Sequence, residues 1–115
     1  MEINDVYTEL KALGLCKSAH RFSEEFMGMH KSYYSVLQAK QRQPSATALC
    51  RLEYALSVLA RQLSLESGFA SYNQMQRVRG LQEHVRLMIA AECANKVDKI
   101  QYFSDRAWLG GADSK

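Results

Sequence analysis

Between Ala46 and Leu63 the apolar residues Leu49, Leu52, Leu56, Leu59 and Leu63 recur at intervals of three and four. That spacing lays all five along one stripe of an α-helix, and Ala48 and Ala55 beside it leave room for a neighbouring helix to approach closely. Ser45 stands where an N-cap oxygen is needed to open the helix. A stripe this regular must be covered by other elements, and the rest of the chain offers only helices to do so. Alternating apolar and polar runs bounded by turn residues are absent, which argues against strands. The expected fold is all-α, with four to five helices and a long C-terminal helix or helical hairpin.

Upstream, Asn4 or Asp5 can cap a helix running to Leu13, with Val6, Leu10 and Leu13 on one stripe and Gly14 placed to end it. Ser18 caps a second short helix, Ala19 to Met27, in which Phe22 and Phe26 stand one turn apart, and Gly28 stops it. A third short helix is expected from about Lys31 to Ala39. It turns Tyr34 and Leu37 inward and leaves Lys31, Ser32, Ser35 and Val36 on the outer face.

Beyond a break at Ser64 to Ser71, a long helical pattern starts near Tyr72, and Val78, Leu81, Val85, Met88, Ile89, Cys93, Val97 and Ile100 recur at three or four. A helix of this length cannot bury its whole stripe on so small an N-terminal half. It is expected to fold back or to meet a partner chain, with homodimerisation through Val78, Leu81, Val85, Met88, Ile89 and Val97 favoured over packing within the chain. The organisation read from the sequence is therefore 1–65 as the N-terminal domain, 70–108 as a dimerisation region and 110–115 as a disordered tail.

With 115 residues, of which 47% are hydrophobic and 23% charged, the chain falls in the range of one ordinary globular domain. No apolar run reaches the roughly 20 residues needed to cross a bilayer, and the acidic start at Met1-Glu2-Ile3-Asn4-Asp5 is unlike a secretory signal, so a cytoplasmic location is expected. Cys16, Cys50 and Cys93 are odd in number and widely separated, and are expected as buried free thiols. Neither they nor His20, His30 and His84 give the short paired spacing of a zinc site. No phosphate loop or dinucleotide fingerprint supports a cofactor. His30 beside Lys31 and Tyr33 beside Tyr34 point in different directions on a helix and have no carboxylate nearby to orient a base, so catalytic residues and an enzyme are not expected.

A net charge of +3 is mild, but its distribution is not. No acidic residue occurs between Glu25 and Glu53, while Lys31, Lys40, Arg42 and Arg51 fall inside that window and Lys17 and Arg21 just before it. A cationic surface of this kind is the electrostatic footprint of a nucleic-acid binder. The major groove, about 12 Å wide, admits one helix whose groove-facing side chains donate or accept without bulk. Lys31, Ser32 and Ser35 suit that, and Lys40 and Arg42 could neutralise the flanking phosphates.

The run Gly28-Met29-His30-Lys31-Ser32-Tyr33-Tyr34-Ser35-Val36-Leu37, then Lys40-Gln41-Arg42-Gln43-Pro44-Ser45, then Leu49 and Leu52, resembles the Cro and phage-repressor helix-turn-helix family, also called the XRE family. The likeness covers Ser18 to Leu59, with the helix-turn-helix at about 18–39. Gly28, Ser32, Tyr33, Ser35, Pro44, Ser45 and Leu49 fall in register with the family pattern. One position departs: the family's second helix carries a leucine and then an alanine four residues before the turn glycine, where this chain has Glu24. Phe22 and Ser23 take those two places if one residue is inserted into the turn. The resemblance implies a sequence-specific duplex DNA-binding regulator, generally dimeric on a palindrome and most often a repressor of a phage, plasmid or bacterial operon. By that likeness Lys31, Ser32, Tyr33, Ser35 and Val36 read bases, and Lys17, Arg21, His30, Lys40 and Arg42 contact phosphates. Tyr33 has two equal readings, its hydroxyl on a phosphate or its ring packed against the fourth helix. The alternative function is a protein-interaction module, such as a phage or plasmid inhibitor or adaptor, that keeps the helical scaffold without binding DNA.

Overall fold

The computed structural model describes residues 2–111, with side chains described for residues 2–94. The described chain is all-α. Helix α1 spans Ile3–Ala12, α2 spans Ala19–Arg21 and runs straight into a π-helical segment Phe22–Phe26, α3 spans Tyr33–Lys40, α4 spans Ala46–Leu65 and α5 spans Phe69–Gly111. No helix among the described residues is long and apolar enough to cross a membrane.

Local chemistry accounts for the boundaries. Helix α1 begins earlier than Asn4 or Asp5 would cap it: the Asp5 carboxylate sits in the first turn and accepts the Glu2 N–H at 2.8 Å. Its other end closes at Gly14, whose φ of +76° is left-handed and lets Gly14 and Leu15 donate back to Lys11 and Leu10. Ser18 and Ser45 cap their helices as expected, accepting from Arg21 N–H and Ala48 N–H. Helix α3 starts at Tyr33 rather than Lys31, because Tyr33 N–H bonds His30 C=O and Ser32 N–H is taken by His30 Nδ1, leaving Lys31 and Ser32 in a turn.

The leucine stripe forms half of the core. Ala48, Leu49, Leu52, Leu56, Ala60 and Leu63 of α4 are buried, and after a turn over residues 66–68 α5 returns antiparallel to cover them with Val78, Leu81 and Val85. Ile3, Val6 and Leu10 of α1, Phe22 and Phe26 of the π segment, and Tyr34 of α3 complete one hydrophobic cluster that draws on both regions expected to be separate. Val78, Leu81 and Val85 are thus removed from the expected dimer seam. They are 0%, 3% and 0% exposed within their own chain, since α5 packs along the apolar stripe of α4. Met88 and Ile89 are half-buried against the same cluster, and Val97 lies outside the residues whose side chains are described.

Helix α5 does not fold back. Its 43 residues make one helix of about 64 Å at 1.5 Å per residue, against about 30 Å for the 20 residues of α4, so roughly half of α5 has no α4 alongside. Of the tail, residues 112–115 lie outside the described residues. Cys16 is buried as expected, its thiol donating to Ser18 C=O and its pKa raised first by burial. Cys50 and Cys93 are exposed instead. The α4 core face runs through Ala48, Leu49 and Leu52, which turns Cys50 outward.

Polar contacts tie α5 to the rest. Arg77 pairs with Glu9, Gln74 donates to Leu13 C=O at 2.9 Å, and Glu53 accepts from the buried Gln82 at 2.8 Å and from Arg86 at 3.0 Å. Glu53 is held below the ordinary glutamate range, first by the Gln82 hydrogen bond, against burial, and then by Arg86.

Two outcomes follow. Val85→Asp places an unpaired carboxylate in the core and should cost about 3 kcal/mol or more in a urea melt, with helicity lost. A fully helical variant that merely changed its oligomeric state would put Val85 on a surface seam instead. Because the folded-state pKa of Glu53 is lowered, its stabilisation is present above the ordinary glutamate range and lost as pH falls through the lowered value. Glu53→Gln should therefore cost about 1 kcal/mol at pH 7 and flatten the acid limb of the stability curve, checked by urea melts between pH 7 and pH 3.

Candidate nucleic-acid interface

Helix α3 has only eight residues, too few to hold itself together, and its placement comes from its two buried side chains, Tyr34 and Leu37. The Tyr34 ring stands edge-on to Phe22 at 5.4 Å and 4.9 Å from Tyr7, and its hydroxyl donates to Asn4 Oδ1 at 2.5 Å. Burial, with Tyr7 and Asp5 nearby, pushes its phenol pKa up. The Tyr34 N–H, left over at the start of the helix, donates to Ser23 Oγ at 2.9 Å, and the Ser23 hydroxyl donates in turn to Ala19 C=O at 3.0 Å. Ser23 is fully buried between the second helix and α3.

The π-helical segment is what brings Ser23 there. Met27 N–H reaches Phe22 C=O, five residues back, rather than the usual four, so one extra residue is absorbed into the turn of helix. Phe22 and Ser23 consequently face inward while Glu24 and Glu25 stay exposed. The chain then reverses at Gly28 with φ +60°, and a Cβ there would fall 2.8 Å from Arg51 Cδ on α4.

This packing leaves Ser35 and Val36 exposed on α3, with Val36 at 45%, and Lys31 exposed in the turn before it. Ser32 is half-buried at the N-cap position. Lys40 ends the helix. Gln41 follows in the left-handed region at φ 52°, and Arg42 N–H bonds Leu37 C=O, which fixes the start of the loop carrying the Arg42 side chain. Of the expected base-reading set, Tyr33 is likewise half-buried, and its hydroxyl accepts the Ser45 N–H at 2.9 Å, so it packs at the start of α4.

Among the described residues Lys17, Lys31, Lys40 and Arg42 make no ion pair, whereas Arg21 is paired with Glu25 at 3.0 Å. His30 is exposed and its Nδ1 accepts the Ser32 N–H. The first turn of α3 carries no acidic residue to offset the positive end of the helix. No group of three or more His, Cys, Asp or Glu side chains among the described residues is placed to hold a metal ion.

Three residues matter more than the sequence indicates. Ser23 is signalled by the one-residue departure in the turn. Asn4 gives no sign of its role, since its partner Tyr34 lies 30 positions away. Arg51 counts as one more cation in the acid-free window, yet its guanidinium is already engaged by the Gly28 carbonyl at 2.7 Å. Beside it, Leu15, Phe26, Tyr54, Ala55, Val58 and Leu59 line an open apolar groove of about 670 Å³.

No curated protein and no solved structure matches the chain. One family model, described as a family of unknown function, DUF6626, matches residues 3–100, which is most of the length. The chain therefore belongs to the DUF6626 family, whose function is unknown.

Proposed function

We propose that this protein is a sequence-specific duplex DNA-binding regulator of the Cro and phage-repressor helix-turn-helix type, a repressor in its simplest form, that reads the major groove with α3. The observation that carries this reading is the outer surface of α3. Ser35 and Val36 are exposed there, Lys31 precedes them, Lys40 and Arg42 follow, and no carboxylate is paired with any of the three cations. Small side chains let the helix backbone approach base edges, the Val36 methyls suit a thymine methyl, and Lys40 and Arg42 suit phosphates on the groove wall.

Homodimerisation belongs to the same reading, since two copies on a twofold axis set reading helices about one DNA turn, roughly 34 Å, apart. With Val78, Leu81 and Val85 consumed inside the chain, the pairing surface falls to Met88, Ile89 and the length of α5 beyond α4. A second reading, a protein-interaction module, is favoured by one observation, the apolar groove beside Tyr54, which is 68% exposed.

The test is selection of duplexes from a random library followed by mobility shifts across a salt series. Affinity for selected duplexes should fall steeply with salt, Arg42→Ala should flatten the log–log slope by about one, and Lys31→Ala should narrow the gap between selected and scrambled duplexes by about 1–3 kcal/mol. Absence of any preference near physiological salt would leave the interaction module as the function.

A further inference from the structure

Arg51 looks, by charge and by its place in the acid-free window, like one more phosphate contact, and its geometry says otherwise. From α4 its Nη1 reaches the turn ahead of α3, donating to Gly28 C=O at 2.7 Å and lying 3.6 Å from Met29 Sδ. It makes no ion pair among the described residues. The glycine is required for its positive φ, and a Cβ on Gly28 would fall in the space the Arg51 Cδ occupies and push the arginine stem aside.

The turn is otherwise held by its own short-range bonds, among them Ser32 N–H on His30 Nδ1, and by Met29 packed against the core. Met29 N–H bonds Ser23 C=O and Tyr33 N–H bonds His30 C=O, and the charged donor on Gly28 C=O is the tie from these residues to the long helix α4. We propose that Arg51 is a positioning residue that locks the 28–32 turn onto α4 and so fixes the angle at which α3 meets the duplex, without itself neutralising a phosphate. This rests on the DNA-reading function proposed above. A reading helix must be held to about half an ångström for its side chains to meet base edges, and a loosened turn costs specificity before it costs electrostatic attraction.

The test uses the full chain with Arg51→Ala and Arg51→Lys, and Arg42→Ala as the phosphate control. In the free protein, amide exchange at Met29, Tyr33 and Tyr34 should quicken by roughly tenfold in Arg51→Ala, with the Leu52 and Val85 amides unchanged. Arg51→Lys, which keeps one cationic donor, should fall between. On a selected duplex Arg51→Ala should lose roughly tenfold in affinity yet keep wild-type affinity for scrambled duplexes and the wild-type salt slope, whereas Arg42→Ala lowers that slope by about one. A slope lowered by about one in Arg51→Ala would make it a phosphate contact and overturn the assignment, as would unchanged exchange in the turn. Should the wild type itself fail to discriminate duplexes, the DNA-reading function falls, while the exchange data still decide whether Arg51 locks the turn.

Discussion

The docking of Tyr34 is the interaction on which the arrangement around α3 depends. An eight-residue helix in water does not persist by itself, and α3 has only Tyr34 and Leu37 buried to hold it. Tyr34 is attached at three points: its ring fills the aromatic cluster of Tyr7 and Phe22, its hydroxyl reaches Asn4 on α1, and its backbone N–H is taken by Ser23. One residue thereby fastens the third helix to the first two. Its burial determines that Ser35 and Val36, one and two positions later, face outward.

The remaining helices give that docking a rigid base. Among the described residues α4 and α5 form the most extensive helix pair, and α5 is fastened to α1 through Glu9 and Leu13 and to α4 through Glu53. Helix α4 then returns two contacts to the α3 region, one at its capping end, where Ser45 N–H is held by Tyr33, and one farther along, where Arg51 holds Gly28. Both are made at the N-terminal end of α3, at Gly28 before it and at Tyr33, its first residue. Lys31, Lys40 and Arg42, around the exposed face of α3, make no ion pair among the described residues, and their position beside that face supports a nucleic-acid reading more than the total charge does.

Much of this was legible in the sequence, for physical reasons that also explain the gaps. Helices announce themselves by the spacing of leucines and by serine and glycine at their ends, so α2 and α4 start at the expected residues. Inward and outward positions on α3 follow from the same periodicity. The start of α3 was not legible, because it depends on a side-chain bond from His30 to the Ser32 backbone that no pattern records. The partner of Val78, Leu81 and Val85 was misjudged, since one apolar stripe reads alike whether it meets a neighbour in its own chain or in another. Exposure of Cys50 and Cys93 escaped for a related reason: a cysteine beside an apolar stripe is buried or not according to a rotation of one position. The departure at Glu24 was visible as a mismatch, and its physical form, one extra residue taken up by a π turn, needed the backbone.

The central claim is that α3 and the residues flanking it meet DNA. It is tested most directly by following backbone amide resonances while a selected duplex is titrated into the protein. The largest shifts are expected at Lys31 to Val36 and at Lys40 to Arg42, with Val78 to Val85 on buried α5 nearly unmoved. Shifts centred on Tyr54, Val58 and Leu59, or no shifts at duplex concentrations that saturate non-specific binding, would contradict it.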